Sequence, residues 1–141
     1  MNIAQDISDH LYQIHSFTPT GVEIAVPGGD IELKIAPIDG LITLTESFII
    51  SPTKLHTDWS IQQVNTMTSQ DVAELSGVLS EFGVEILILG TGEKLTFPTP
   101  KQLSPFMAQG VGVEVMDSRA ACRTYNLLAA EERKVAAAIM L

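Results

Sequence analysis

An α/β fold is the reading this sequence supports, on three observations. The stretches EILILGTG (residues 85–92) and VGVEVMDSRAACRTYNLLAAEER (residues 111–133) each begin as a short apolar β-run and break at small or cap-forming residues. Each break is followed by residues able to start a helix, which gives a βαβα unit. The first half of the chain, by contrast, reads mostly as antiparallel strand. In βαβα units the strand ends and helix N-termini converge on one edge of the sheet, where ligands usually bind, so any site is expected there.

A chain of 141 residues is expected to form one domain, residues 1–141, with a single core. Apolar residues make up 45% of it, but they come in short runs far below the roughly 20 needed to span a bilayer. The opening MNIAQDISDHL has neither a basic n-region nor an apolar h-region, so export is not expected. Cytoplasm, or an organelle matrix in a eukaryote, is the expected compartment, with no direct membrane insertion. One cysteine, Cys122, cannot form an internal disulfide or a multi-thiolate metal site, and His10, His15 and His56 lack metal-motif spacing. Neither a metal nor a cofactor is therefore expected. The net charge of −9 leaves only Arg119 with Arg123 and Arg133 with Lys134 as basic clusters, which argues against a nucleic-acid surface.

Residues 1–12 are weakly patterned and fit a loose arm or a turn of helix. QIHSFTPTGVEIAV reads as a hairpin turning at Pro19 to Gly21. Gly28 and Gly29 supply a further turn. IELKIA (31–36) and LITLTESFIIS (41–51) follow as strand around a turn at Pro37 to Gly40. Residues 52–67 fit strand and loop equally, and Trp59 among them is expected to pack against the sheet. Thr68 is the expected N-cap of a helix, with Asp71 completing a capping box, Val72, Leu75, Leu79 and Phe82 on the buried face, and Gly83 at the end.

Ile86 to Leu89 is a continuous apolar run suited to a strand covered on both faces. Gly90, Thr91 and Gly92 break it. Glycines let backbone N–H groups approach a phosphate, but position 95 is Leu where a dinucleotide fingerprint has Gly, and no P-loop Gly-Lys-Ser/Thr follows. A tight turn leaving a central strand is the plainer reading. The next helix is expected over residues 97–109, with Thr99, Pro100 and Gln102 at N-cap, N1 and N3 and with Leu103, Phe106 and Met107 buried. Pro105 should shorten or kink it. After a strand from Val111 to Met116, Asp117 or Ser118 caps a third helix. On a helical wheel Ala120, Ala121, Thr124, Tyr125, Leu127 and Leu128 share one arc, and Arg119, Cys122, Arg123 and Asn126 the other. RKVAAAIML suits a buried helix and a central strand equally.

Residues 110–140, with EILILGTG and FPTPKQL before them, resemble the C-terminal half of a small single-domain family of mostly unknown function. That family includes mitochondrial complex I assembly factor 3 and an adipogenesis-associated vertebrate protein. The resemblance is specific over roughly residues 84–140 and thin before residue 40. It implies a three-layer α/β sandwich with a mixed central sheet and additional N-terminal antiparallel β-structure, with residues 135–140 as strand. It also implies shared roles for Gly90, Thr91, Gly92, Asp117, Ala121, Cys122, Arg123, Thr124, Tyr125 and Asn126. Where the family usually has Glu-Gly in the segment after the Tyr-Asn pair, this chain has Glu131 and Glu132, so a helix end relying on that Gly is expected to be capped differently.

Two functions follow. The first is a non-enzymatic binding or assembly-factor-like protein whose partner, by the resemblance, is a respiratory or other membrane-complex subunit. No catalytic constellation stands against it: Cys122 has no neighbouring His, and Ser118 lacks a G-x-S-x-G context. The alternative is a small-molecule or anion site, or a weak enzyme, in a crevice between the Gly90 loop and the helix near Arg119. Its candidate residues are Gly90, Thr91, Gly92, Asp117, Ser118, Arg119, Cys122, Arg123 and Asn126. There the helix dipole and two arginines would hold a carboxylate or phosphate, and Cys122 would be a low-pKa thiolate. Against this stand a structural ion pair for Arg123, for instance with Asp117, and a small buried apolar role for Cys122.

Overall fold

Alternating apolar residues build a small sheet and continuous apolar runs a larger one, and one helix packs against both. The computed structural model describes residues 11–28 and 35–141. The arm expected over 1–12 and the strand expected over 31–36 lie largely outside those residues. Strands β1 (Gln13–Thr18), β2 (Gly21–Ala25) and β3 (Leu41–Leu44) form an antiparallel sheet in the order β1-β2-β3. The expected hairpin turns at Pro19 and Thr20. Ile14, Val22, Ile24, Ile42 and Leu44 are buried on one side of this sheet, following the two-residue period of a pleated strand. A register shift between Ile14 and Ser16 bulges β1.

The second sheet has five strands in the order β5-β4-β8-β6-β7, comprising β4 (Phe48–Ile50), β5 (Leu55–His56), β6 (Ile86–Gly90), β7 (Gly112–Met116) and β8 (Val135–Ile139). β8, β6 and β7 run parallel, whereas β4 is antiparallel to β8 and β5 to β4, so the sheet is mixed. The β-stretch 41–51 is thus divided between sheets: β3 ends in the small one and β4 begins in the large one. The break falls at Thr45 to Ser47, where the buried Ser47 hydroxyl accepts the Leu141 N–H at 3.0 Å and its carbonyl accepts the Trp59 N–H at 3.3 Å.

Helix α1 (Ser69–Phe82) and helix α2 (Pro100–Gln109) cover one face of the large sheet, where Ile49, Leu87, Leu89, Ala136, Ala138 and Met140 meet Val72, Leu75, Leu79 and Phe106. Trp59 is buried in this same layer. Helix α3 (Ser118–Ala130) and the small sheet cover the other, where Phe48, Ile50, Ile88, Val135, Ala137 and Ile139 meet Ala121, Cys122, Tyr125 and Ala129. The two parallel crossovers run in opposite directions across the sheet and so deliver α2 and α3 to opposite faces. The result is a three-layer α/β sandwich with a mixed central sheet. β8 lies between β4 and β6, and its alanines keep it thin beneath helices on both sides.

The helix ends are written in local chemistry. Thr68 with Asp71 and Thr99 with Gln102 form complete capping boxes, and Gly83 and Gly110 close α1 and α2 in the left-handed region. Two expectations for α2 need correction. Met107 is 73% exposed, because only Phe106 reaches the core and α2 is otherwise held by polar bonds, from the Gln102 side-chain amide to the Val64 and Met67 carbonyls, both at 3.0 Å, and from the Gln109 amide to the Ser76 carbonyl at 2.9 Å. Pro105 does not end the helix, which runs on to Gln109, and Lys101, whose carbonyl it leaves without a helical donor, is exposed.

Helix α3 ends without glycine. The Glu132 N–H donates to the Ala129 carbonyl and the Arg133 N–H to the Leu128 carbonyl, both at 3.0 Å, a Schellman pair that forces Glu132 to φ 60°. A side chain in that region is strained by its Cβ. Glu132→Gly should therefore raise stability by about 0.5–1 kcal/mol, allowing for the extra freedom Gly gains in the unfolded chain. A urea midpoint unchanged or lowered at constant m-value would refute the strain.

Candidate functional site

The carboxyl ends of β6, β7 and β8 bring Gly90, Thr91, Gly92, Asp117 and Ser118 together, as the sequence spacing suggests, and bind them to one another. The Ser118 hydroxyl donates to the Met140 carbonyl at 2.6 Å and accepts the Gly92 N–H at 2.8 Å. The Ser118 N–H donates to the Gly92 carbonyl at 2.8 Å, the Thr91 N–H to the Met116 carbonyl at 2.9 Å, and the Met140 N–H to the Gly90 carbonyl at 2.9 Å. The Asp117 carboxylate caps α3 by accepting the Ala120 N–H at 2.9 Å. Gly90 is required by closeness: a Cβ there would stand 3.0 Å from the Ser118 Cα and Oγ and from the Ala121 Cβ. Helix α3 is seated directly on the strand end. An anion at this edge would have to displace bonds the Thr91, Gly92 and Ser118 amides already make.

The remaining candidates diverge along α3. Arg119 turns to β1, its guanidinium 4.7 Å from the centre of the Phe17 ring and its Nη1 donating to the Phe17 carbonyl at 3.4 Å. Arg123 is exposed and makes no ion pair among the described residues; Asp117 acts as a cap instead. Cys122 and Asn126, on the polar arc of the wheel, are buried, whereas Leu127, on the apolar arc, is 65% exposed. The physical reason is that α3 faces two partners, the large sheet beneath it and β1 at its flank. Its buried arc is wider than one apolar stripe. Asn126 occupies the flank: its Nδ2 donates to the Ile14 carbonyl at 2.7 Å and its Oδ1 accepts the Ile14 N–H at 3.0 Å. An amide side chain thus pairs like a strand with β1 beside its bulge. Tyr125 adds a bond from its hydroxyl to the Tyr12 carbonyl at 3.0 Å.

Sequence reasoning passed over the turn after Gly92. The hydroxyl of the buried Thr91 donates to the Lys94 carbonyl at 2.8 Å and accepts the Thr96 N–H at 3.0 Å, fixing the turn from inside. Leu95 and Phe97 stand outside it, 51% and 69% exposed. The signal lies in the order Thr-Gly-Glu-Lys-Leu-Thr-Phe, with large apolar residues alternating inside a loop, and Phe97, expected in the second helix, precedes α2, which begins at Pro100. Among the described residues no group of three or more His, Cys, Asp or Glu side chains could hold a metal ion, and no helix is long and apolar enough to cross a membrane.

Burial pushes the Cys122 thiol up from 9.0 to about 12, with Arg119 opposing and Asp117 adding to the rise, so the nucleophilic thiolate is suppressed in the folded chain. Tyr125 is raised in the same way by burial. A raised folded pKa stabilises the fold below the unfolded pKa, and that stability is lost as pH rises from about 9 toward 12. Denaturant midpoints should therefore fall across that window, and less steeply in Cys122→Ala. Iodoacetamide should spare Cys122 at neutral pH until the protein unfolds; rapid labelling of the folded chain would contradict its burial.

The sequence is similar to mouse NADH dehydrogenase (ubiquinone) 1 alpha subcomplex assembly factor 3, 36% identical over 84 residues, an alignment covering 57% of this chain and 45% of that protein. It is also similar to a 13 kDa major membrane protein of Francisella tularensis, 41% identical over 56 residues, covering 40% of this chain and 46% of that one. The chain thus spans less than half the length of these curated relatives. Among solved structures, a Bordetella parapertussis protein superposes with a TM-score of 0.72 at 27% identity, covering 92% of this chain and 95% of the other. The family model described as protein of unknown function (DUF498/DUF598) matches residues 34–140, and the chain belongs to that family.

Proposed function

We propose that this chain is a non-enzymatic binding module of the assembly-factor kind, which engages a protein subunit of a respiratory or other membrane-associated complex. The observation that carries this reading is the turn braced by Thr91, which holds Leu95 and Phe97 out in solvent. Large apolar side chains left exposed on a pre-ordered loop lose little entropy on docking and gain apolar burial. The named role of the mouse relative supports an assembly partner, and the name of the Francisella relative supports a membrane-associated setting. Loops carried on a rigid scaffold are the usual place for such contacts. By contrast, most polar groups of the residues first considered as a ligand crevice are occupied in joining β6, β7, β8, α3 and β1.

The test is quantitative capture from source-cell extract, comparing the wild-type chain with Leu95→Ser and Phe97→Ser. Both positions are exposed, so the variants should unfold within about 0.5 kcal/mol of wild type. A specific protein captured by the wild type should be recovered at least several-fold less with either variant. Undiminished capture by both would exclude the turn as the docking surface, and an extract yielding no specific protein would count against the reading as a whole.

A further inference from the structure

Among the described residues β7 ends the five-stranded sheet and pairs only with β6. The Gly112 N–H donates to the Glu85 carbonyl at 3.0 Å and the Met116 carbonyl accepts the Thr91 N–H at 2.9 Å. With the parallel register running from Ile86 opposite Gly112 to Gly90 opposite Met116, residues 112, 114 and 116 turn their backbone groups toward β6. Val113 and Val115 therefore turn theirs outward, giving the edge two N–H and two C=O groups in a row. Glycine at 112 leaves one end of this edge open, and the single charge on the strand is the exposed Glu114. At its carboxyl end the strand abuts the turn carrying Leu95 and Phe97, through the Thr91 bond to Met116.

The edge discriminates between occupants. Two copies of β7 pairing antiparallel about a two-fold axis could use all four outward groups only with Val113 of one opposite Val115 of the other. That register sets Glu114 against its own copy in a non-hydrogen-bonded pair, about 4.5 Å between Cα atoms, where like charges repel. A strand with a cation at that position meets attraction instead. We propose that the free edge of β7 receives an extended segment of a partner protein, added as a sixth strand, with Lys or Arg opposite Glu114. The segment bonds through its backbone to Val113 and Val115, and the charge pair sets its register. The inference rests on the reading of the chain as a protein-binding module and names the form its partner takes.

The experiment uses the intact chain and a short fluorescein-labelled peptide alternating Val and Thr around a central Lys, with a central-Glu peptide as its counterpart. Anisotropy should show the Lys peptide binding about five- to ten-fold more tightly than the Glu peptide, and Glu114→Lys should reverse that order. Hydrogen exchange should slow at the Val113 and Val115 amides on binding. Val115→Pro removes one outward N–H at a position where an edge strand tolerates proline, and should abolish binding while keeping the fold. Should that variant fail to fold, a peptide N-methylated on its bonding edge serves the same purpose and should not bind. No slowing at these two amides with either peptide, or an order of affinity indifferent to Glu114→Lys, would overturn the proposal. So would self-association of the chain that protects Val113 and Val115 without peptide, since it would assign the edge to a second copy. The peptide measurements are independent of the extract capture, so a negative result here beside a captured partner refutes the strand edge alone.

Discussion

Helix α3 has to close against two sheets at once, and the rest of the structure depends on how its polar residues manage that. An amphipathic helix on a single sheet needs one apolar stripe and can leave its flanks in water. Here the small sheet lies against one flank, so the backbone of β1 at its bulge would be buried without partners. Asn126 supplies them, offering a donor and an acceptor to Ile14 in the geometry a neighbouring strand would use. Ser118 does the same at the helix start, linking the Gly92 amide to the Met140 carbonyl across the carboxyl edge. Buried polar groups are expensive to leave unpaired, so these side chains fix where α3 lies and with it the relation of the two sheets.

This arrangement explains what could be read from the residues and what could not. Caps, strand runs and helix ends are local, and Thr68 with Asp71, Thr99 with Gln102, Gly83 and Gly110 stand where their chemistry requires. The departure at Glu132 is local too, and it coincides with a strained helix end. The burial of Asn126 is set by a strand more than a hundred residues away in the chain, which no helical wheel contains. Likewise, nothing local in LITLTESFIIS tells that β3 and β4 serve different sheets. Met107 reads as core by spacing, yet α2 covers the β7 side of the large sheet and sends only Phe106 fully inward.

The candidate site was legible in position more than in meaning. Glycine at 90, small and polar residues at 91 and 92, and a cap at 117 do mark the strand ends and the start of α3. Glycine there serves close packing of the helix on the strand, one of the uses glycine also has in nucleotide-binding turns, where it additionally admits a phosphate. In this chain the Thr91, Gly92, Ser118 and Ala120 amides at that edge are satisfied from within. What the same edge leaves over is apolar and backbone in character: Leu95 and Phe97 on a braced turn, and beside it the side of β7 that no described residue pairs. Those are the ingredients by which one protein holds another.

The claim that ties these observations together is that Asn126 is a structural clamp and that binding lies elsewhere. Asn126→Ala tests it most directly, with equilibrium unfolding and partner capture measured on the same preparation. Removing the side chain leaves the buried Ile14 N–H and C=O without partners and should lower stability by about 1–3 kcal/mol. Capture, measured where the variant is still folded, should match wild type. Unchanged stability together with lost capture would place the binding function at α3 and contradict the account.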